Sequence, residues 1–340
     1  MSGMVLVTGG SSFLGASVAR RLEADGRTVR VLDVAASFDE VRETVLGDVC
    51  DPETVASAMR DATAVVHAAF VPPERPAELI DRVNVLGTEV VLGEAARLGV
   101  PVVLVSSTIV DRPLRPHPVR RGAPQTRLVH YARSRQQAEA LARTAAAGGL
   151  PVAVLRPKTF LGPGALGAFA VMFQQLRLGH DVVVLGRGRN CYQLLDVDDF
   201  AAAVSVVVGA RASGVFGVGA TGFGTVASDL EALVAHAGTG SSLRLLPARA
   251  AVGALRAVDV ASLPPLSEWH QCSARGLDSV VDTGPLQALG WSARWSSSEA
   301  LCRAYDWYAA QPLATTGTHR VPPLHRGLAA AARLAGRRLR

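Results

Sequence analysis

The chain has 340 residues, of which 49% are hydrophobic and 19% charged, which is enough apolar material for a large core and excludes a disordered chain. No run approaches the roughly 18 uninterrupted apolar residues that span a bilayer, and the chain enters a strand pattern without a charged leader, so a cytoplasmic protein is expected. The net charge of +6 belongs to residues 313–340, where six arginines meet no acid; taking those six from 35 basic residues leaves 29 against 29 acids, so the body is neutral and no nucleic-acid partner is expected.

Val5–Val7 is a short apolar run, followed by the glycine-rich segment Gly9 to Gly15 and then by Ala16, Val18, Ala19 and Leu22 at helical spacing. That order reads as strand, turn, helix. The next strand pattern, Val29–Leu32, ends in Asp33, and further strand runs fall at Ala64–Val66, Val102–Val105 and Val152–Leu155. Helical patterns lie between them at Pro52–Arg60, Val83–Arg97 and Tyr131–Ala147. Strands alternating with helices predict an α/β fold, a doubly wound parallel sheet of Rossmann type.

After Gly162 the alternation gives way to Gly, Pro and irregular apolar pieces, and Leu194–Val208 returns to a strand-then-helix pattern. The expected organisation is a dinucleotide-binding domain over 1–160 and 193–215, and a smaller, partly interleaved substrate domain over 161–192 and 216–312. A basic tail, 313–340, is set off by Pro312, Pro322 and Pro323. The cysteines Cys50, Cys191, Cys272 and Cys302 form no Cys-x-x-Cys pair, so neither a metal site nor a disulfide framework is expected.

In Thr8-Gly9-Gly10-Ser11-Ser12-Phe13-Leu14-Gly15 the glycines permit a tight strand-to-helix turn, and the helix start offers bare N–H groups to a diphosphate. Asp33, at the end of the second strand, can accept hydrogen bonds from ribose hydroxyls and would repel the extra phosphate of NADP. NAD is therefore the expected cofactor. Asp48, in Gly47-Asp48-Val49 after the third strand, can bond the adenine amino group.

With those residues the sequence resembles the extended short-chain dehydrogenase/reductase superfamily, the NAD-dependent epimerases, dehydratases and hydroxysteroid-type dehydrogenases. The likeness is also carried by His67-Ala68-Ala69, Asn84-Val85-Leu86-Gly87-Thr88, Ser106-Ser107, Tyr131-Ala132-Arg133-Ser134-Arg135, Leu155-Arg156-Pro157, Gly162-Pro163-Gly164, Val197-Asp198-Asp199 and Leu289-Gly290-Trp291. The resemblance implies an NAD-dependent enzyme acting on a hydroxyl or carbonyl small molecule, with net redox and transient oxidation (epimerase or dehydratase) both open. It implies Tyr131 as acid/base, Ser107 as the hydroxyl that orients the substrate oxygen, and residue 135 as the cation on the nicotinamide ribose. Gly9, Ser12, Phe13, Leu14, Gly15, Val49, Ala68, Asn84 and Pro157 complete the implied cofactor set. Thr108, Lys158, Thr159 and Tyr192 are implied on the substrate side. A homodimer through the helices at Val83–Arg97 and Tyr131–Ala147 is implied as well.

Several positions depart from the family's pattern. Residue 135 is Arg where Lys is usual, and an arginine's planar fork cannot place a point charge as an ammonium does. Lys158, the only lysine of the chain, is either a replacement ammonium or a surface side chain. Ser12 stands where a glycine is usual, with a hydroxyl that could donate to a phosphate. Thr159 and Tyr192 stand where sugar-nucleotide members carry Asn and Arg, which argues for another substrate. Asp111 stands where a tyrosine is common; with Arg135 and Ser12 it supports the alternative of a cofactor-bound scaffold or non-redox enzyme that has lost hydride transfer. Between Ser107 and Tyr131, Arg112, Arg115, Arg120, Arg121 and Arg127 make a basic loop, which fits an anionic substrate or a solvated surface; His117 and His130 read as loop residues.

Overall fold

The first apolar run forms β1 (Met4–Thr8), in which Val5, Leu6 and Val7 are wholly buried. It lies third from one edge of a seven-stranded sheet with β2 (Thr28–Asp33), β3 (Glu43–Leu46), β4 (Ala62–His67), β5 (Val102–Val105), β6 (Val152–Pro157) and a last strand, Gly214–Val218. The order is β3-β2-β1-β4-β5-β6 and then Gly214–Val218, and every pairing is parallel. The computed structural model describes residues 3–36, 43–111, 124–164, 166–247 and 268–312, so the basic tail and residues 112–123 of the arginine-rich loop lie outside the described residues.

Helices cover the sheet where local signals start and stop them. Ser12 caps α1 (Phe13–Ala24), its Oγ accepting from the Gly15 amide at 3.2 Å. Asp51 caps α2 (Pro52–Ala58), which has proline at its first position. The pattern Val83–Arg97 is not one helix: α3 (Ala77–Asp81) precedes it, and the segment itself divides into a π-helical turn at Arg82–Gly87 and α4 (Thr88–Leu98), closed by Gly99 at φ +68°. The Thr88 hydroxyl donates back to the Asn84 carbonyl at 2.8 Å within that turn, and side-chain insertion of this kind widens a helix. The last helix before β6, α5 (Pro124–Ala147), starts about two turns earlier than the apolar spacing predicts. His130, expected in a loop, is therefore helical, and its Nε2 lies 2.9 Å from Asp81 Oδ1.

Contacts divide the chain into two compact units. The first comprises residues to Lys158, then Val197–Gly219 and Val281–Arg294. Its second return has no periodic signal in the sequence and rests on long-range bonds: the buried Trp291 indole donates to the Asp199 carbonyl at 3.0 Å, and the Arg294 amide to Asp199 Oδ1 at 2.9 Å.

The second unit comprises Thr159–Asp196, Ala220–Val280 and the chain from Trp295. It contains two short parallel pairs, Thr159–Leu161 with Leu194–Asp196 and Val182–Leu185 with Leu243–Leu246. Phe173, Leu194, Leu230, Trp269, Leu301 and Tyr305 belong to its core. Asp196, fully buried, takes two bonds from Arg303 Nη1 at 2.7 and 2.6 Å. Among the described residues no helix is long and apolar enough to cross a membrane, and no cluster of His, Cys, Asp or Glu could hold a metal.

Candidate active site

In a parallel sheet all strands end on one side, so Thr8, Asp33, His67, Val105 and Pro157 finish at the same edge, with the reversal of strand order between β1 and β4. The glycine loop leaves this edge. Gly9 adopts φ +71°, a conformation open to glycine, and a Cβ on Gly15 would come within 2.2 Å of the Gly9 carbonyl oxygen. The turn is thus as tight as a bare backbone permits. The first turn of α1 carries no acid, and the Phe13 and Leu14 amides have no carbonyl four residues behind them inside the helix.

Asp33 meets the loop from β2. Its Oδ2 accepts from the Ser11 amide at 2.9 Å and its Oδ1 from the Ala35 amide at 3.1 Å, while Ser11 Oγ donates to the Ala35 carbonyl at 2.8 Å. Each oxygen keeps a lone pair for a ribose hydroxyl. A helix start free of acids beside a braced carboxylate fits a dinucleotide, with diphosphate on the Phe13 and Leu14 amides, close approach allowed by Gly15, and adenosine ribose on Asp33. Ser12 Oγ donates to the Gly9 carbonyl at 2.6 Å, so its hydroxyl proton holds the loop instead of reaching for a phosphate. Asp48 accepts from the Cys50 amide at 2.9 Å and pairs with Arg82; Val49 and Ala68 are buried.

The tyrosine lies on α5. Arg135, one turn beyond Tyr131, is 2% exposed; its Nε donates to the Tyr131 hydroxyl at 3.3 Å and its Nη1 to the Val105 carbonyl at 3.4 Å. The guanidinium carbon sits 4.8 Å from the Phe70 ring centroid and 5.4 Å from that of Tyr131. A planar cation that reaches two ring faces while bonding a phenol and a carbonyl suits arginine's fork better than lysine's point charge. Ser107 follows β5, its Oγ accepting from the Ile109 amide at 3.3 Å, and Thr108 Oγ1 donates to the Pro157 carbonyl at 3.4 Å.

Behind this group, Glu139 is buried two helical turns beyond Tyr131. Its carboxylate accepts from Ser106 Oγ at 2.6 Å and from Arg156 Nε and Nη2 at 3.0 and 2.7 Å, while Arg156 Nη1 reaches Asp111 at 2.8 Å. Those contacts, the Glu139 bond first, hold the Arg156 pKa above its ordinary value. Asn84, fully buried, bonds Val71 through Oδ1 (2.7 Å) and Nδ2 (3.1 Å) and Ser134 through Nδ2 (3.1 Å), so its amide braces protein.

Lys158 is 3% exposed and is no surface lysine. In the second unit, Thr159 Oγ1 and the hydroxyl of the buried Tyr192 lie 2.6 Å apart. Sequence reasoning missed Phe70, Ser134 and Glu139. Glu139 carried a signal, a carboxylate four residues beyond Arg135 on one helical face; Phe70 carried none.

A nucleotide cradle at the sheet edge and a cation-bound tyrosine on the helix α5 are what a protein needs to use a dinucleotide as a reagent. Comparison with known proteins carries this further. Residues 5–219 match the family described as NAD dependent epimerase/dehydratase family, and the chain belongs to that family. It is accordingly an enzyme whose cofactor is NAD.

Over 311 residues the chain is 30% identical to a protein of Sinorhizobium fredii named uncharacterized protein y4nG, a match covering 90% of this chain and 78% of that one. Over 104 residues it is 35% identical to the mouse sterol-4-alpha-carboxylate 3-dehydrogenase, decarboxylating, which takes in 30% of this chain and 29% of that enzyme. Among solved structures, UDP-glucose 4-epimerase of Thermus thermophilus in complex with NAD superimposes with a TM-score of 0.67 at 23% identity, over 90% of this chain and 99% of that one, a likeness of fold.

Proposed function

We propose that this enzyme carries out net oxidation or reduction at a carbinol or carbonyl carbon of a small molecule, with Tyr131 as acid/base. The observation that carries the reading is the buried Arg135 guanidinium, 3.3 Å from the Tyr131 hydroxyl through Nε and anchored on β5 by the Val105 carbonyl. Bound NAD supplies the hydride-accepting carbon. In the direction of oxidation Tyr131 takes the proton of the substrate hydroxyl, and Ser107 Oγ donates to the same oxygen and fixes it. Arg135 stabilises the negative charge that the phenol oxygen carries before it receives that proton.

Two residues favour a substrate other than a nucleotide sugar. Thr159 and Tyr192, where sugar-nucleotide members carry Asn and Arg, are bonded to each other, and Tyr192 is buried. The mouse relative, a dehydrogenase by name, supports net redox at a carbinol. The same reading includes a homodimer through α4, α5 and the π turn, where Leu86 and Leu98 are exposed; sedimentation at micromolar concentration tests it.

Tyr131→Phe tests the assignment. It keeps NAD binding by calorimetry and lowers turnover by about 10²- to 10⁴-fold, read as nicotinamide absorbance. Full turnover in Tyr131→Phe would overturn the role of Tyr131, and product formed without change in that absorbance would favour a scaffold or non-redox enzyme.

A further inference from the structure

A buried line of polar groups crosses from β1 to the helix that carries Tyr131. The Ala69 amide lies 3.3 Å from Thr8 Oγ1, Thr8 Oγ1 lies 2.7 Å from His67 Nδ1, His67 Nε2 lies 3.1 Å from Thr88 Oγ1, and Thr88 Oγ1 lies 2.8 Å from the Asn84 carbonyl. Thr8, Thr88 and Asn84 are fully buried and His67 is 1% exposed, so a group of this line left without a partner would be costly.

With the Thr88 hydroxyl as donor to the Asn84 carbonyl, counting protons gives one self-consistent direction for every other bond. Each hydroxyl has one proton, and that of Thr88 goes to the Asn84 carbonyl, which accepts only. The Thr88 oxygen can then only accept from the imidazole, so His67 carries its proton on Nε2. Nδ1 is left bare and accepts from Thr8, whose oxygen accepts in turn from the Ala69 amide. The opposite tautomer sets two lone pairs face to face at Thr88. An imidazolium would leave the Thr8 proton without an acceptor and add a second charge near the buried guanidinium of Arg135.

The line ends on parts that matter to the site. Thr8 immediately precedes Gly9, Ala69 precedes the Phe70 ring under Arg135, and Asn84 bonds Ser134, whose Oγ donates to the Tyr131 carbonyl at 2.8 Å. We propose that His67, held as the neutral Nε2–H tautomer by Thr8 and Thr88, is a positioning residue that fixes the glycine-loop strand relative to the helix bearing Tyr131 and Arg135. The inference rests on the reading of Tyr131 as acid/base for its consequence in turnover. Burial, and Arg135 after it, push the imidazole down to about 3, in keeping with this arrangement.

The test uses the full chain labelled with ¹⁵N-histidine. The expected spectrum contains one imidazole with a protonated Nε2 and a bare Nδ1, unchanged from pH 8 to pH 5 and absent from His67→Gln. Calorimetry with NAD on folded His67→Phe, which keeps a ring and removes both bonds, is expected to read roughly tenfold to a hundredfold weaker binding. His67→Gln, with one donor and one acceptor, recovers part of that loss.

A His67 signal that titrates in this range or shows the Nδ1–H form overturns the proposal. So does wild-type NAD affinity in folded His67→Phe. Both readouts are independent of Tyr131 chemistry, so a failure of the acid/base assignment would appear in Tyr131→Phe and leave them unchanged.

Discussion

The Arg135 guanidinium carbon lies over the Phe70 ring, 4.8 Å from its centroid, and its hydrogen bonds go to the Tyr131 hydroxyl and the Val105 carbonyl, with no carboxylate paired to it among the described residues. A buried cation is costly unless something offsets its lost hydration. Here the π face of Phe70, the Val105 carbonyl and the Tyr131 phenol do so, and the site keeps an unneutralised positive charge.

Arg135→Met removes that charge at similar length and is expected to lower turnover by at least about 100-fold. Arg135→Lys keeps the charge and more of the turnover, but it loses the guanidinium contact with the Phe70 ring and the Nη1 bond to Val105. Thermal unfolding should show it less stable by about 1 to 2 kcal/mol. An Arg135→Lys variant as stable as the parent would mean that the contact with Phe70 contributes nothing.

Gly15→Ala places a methyl group 2.2 Å from the Gly9 carbonyl oxygen and 2.7 Å from the Gly10 Cα, both backbone atoms that cannot move aside cheaply. The expected outcome is loss of NAD binding by calorimetry, with a stability cost of about 1 to 3 kcal/mol or more. Retained binding would mean that the turn opens without harm.

Acid should destabilise the protein through His67. Its folded-state value of about 3 lies below the ordinary 6.5, so between those pH values the unfolded chain binds a proton that the folded chain does not. The stability linked to this group is complete above about 6.5 and is lost as pH falls toward 3. Denaturant titrations of His67→Gln between pH 6 and 4 should show a slope shallower by up to about 1.4 kcal/mol per pH unit. Parallel slopes in the two proteins would rule the linkage out.

Glu139→Gln weakens the paired bonds to Arg156 and the bond from Ser106, the residue before Ser107. Because Arg156 is partly exposed and keeps Asp111, the expected cost is about 2 to 3 kcal/mol, below that of a fully buried pair. Ser106→Ala should cost about 1 kcal/mol. Chemical denaturation distinguishes the two, and a neutral Glu139→Gln would show the pair to be incidental.

Much of the sheet was legible because strands buried on both faces read as apolar runs between glycine and proline breaks, as Val5–Val7 and Val102–Val105 do. The loop from Gly9 and the carboxylate of Asp33 were legible for a related reason: their spacing follows from one strand-turn-helix unit. What local pattern hides is partnership at a distance. The π turn at Arg82–Gly87 keeps an apolar spacing that passes for an α-helix, the return of Val281–Arg294 depends on Trp291 finding Asp199, and the Ser12 hydroxyl turns to a carbonyl three residues back. Phe70 is one apolar residue among many until Arg135 lies over it.

The interleaving of the first unit bears on how the protein is made. A nascent chain leaving the ribosome cannot complete its opening sheet when Lys158 emerges, because the edge strand Gly214–Val218 and the clasp of Trp291 on Asp199 are still to be translated. Until then the flank of β6 is an unsealed strand edge of the sort that recruits other chains.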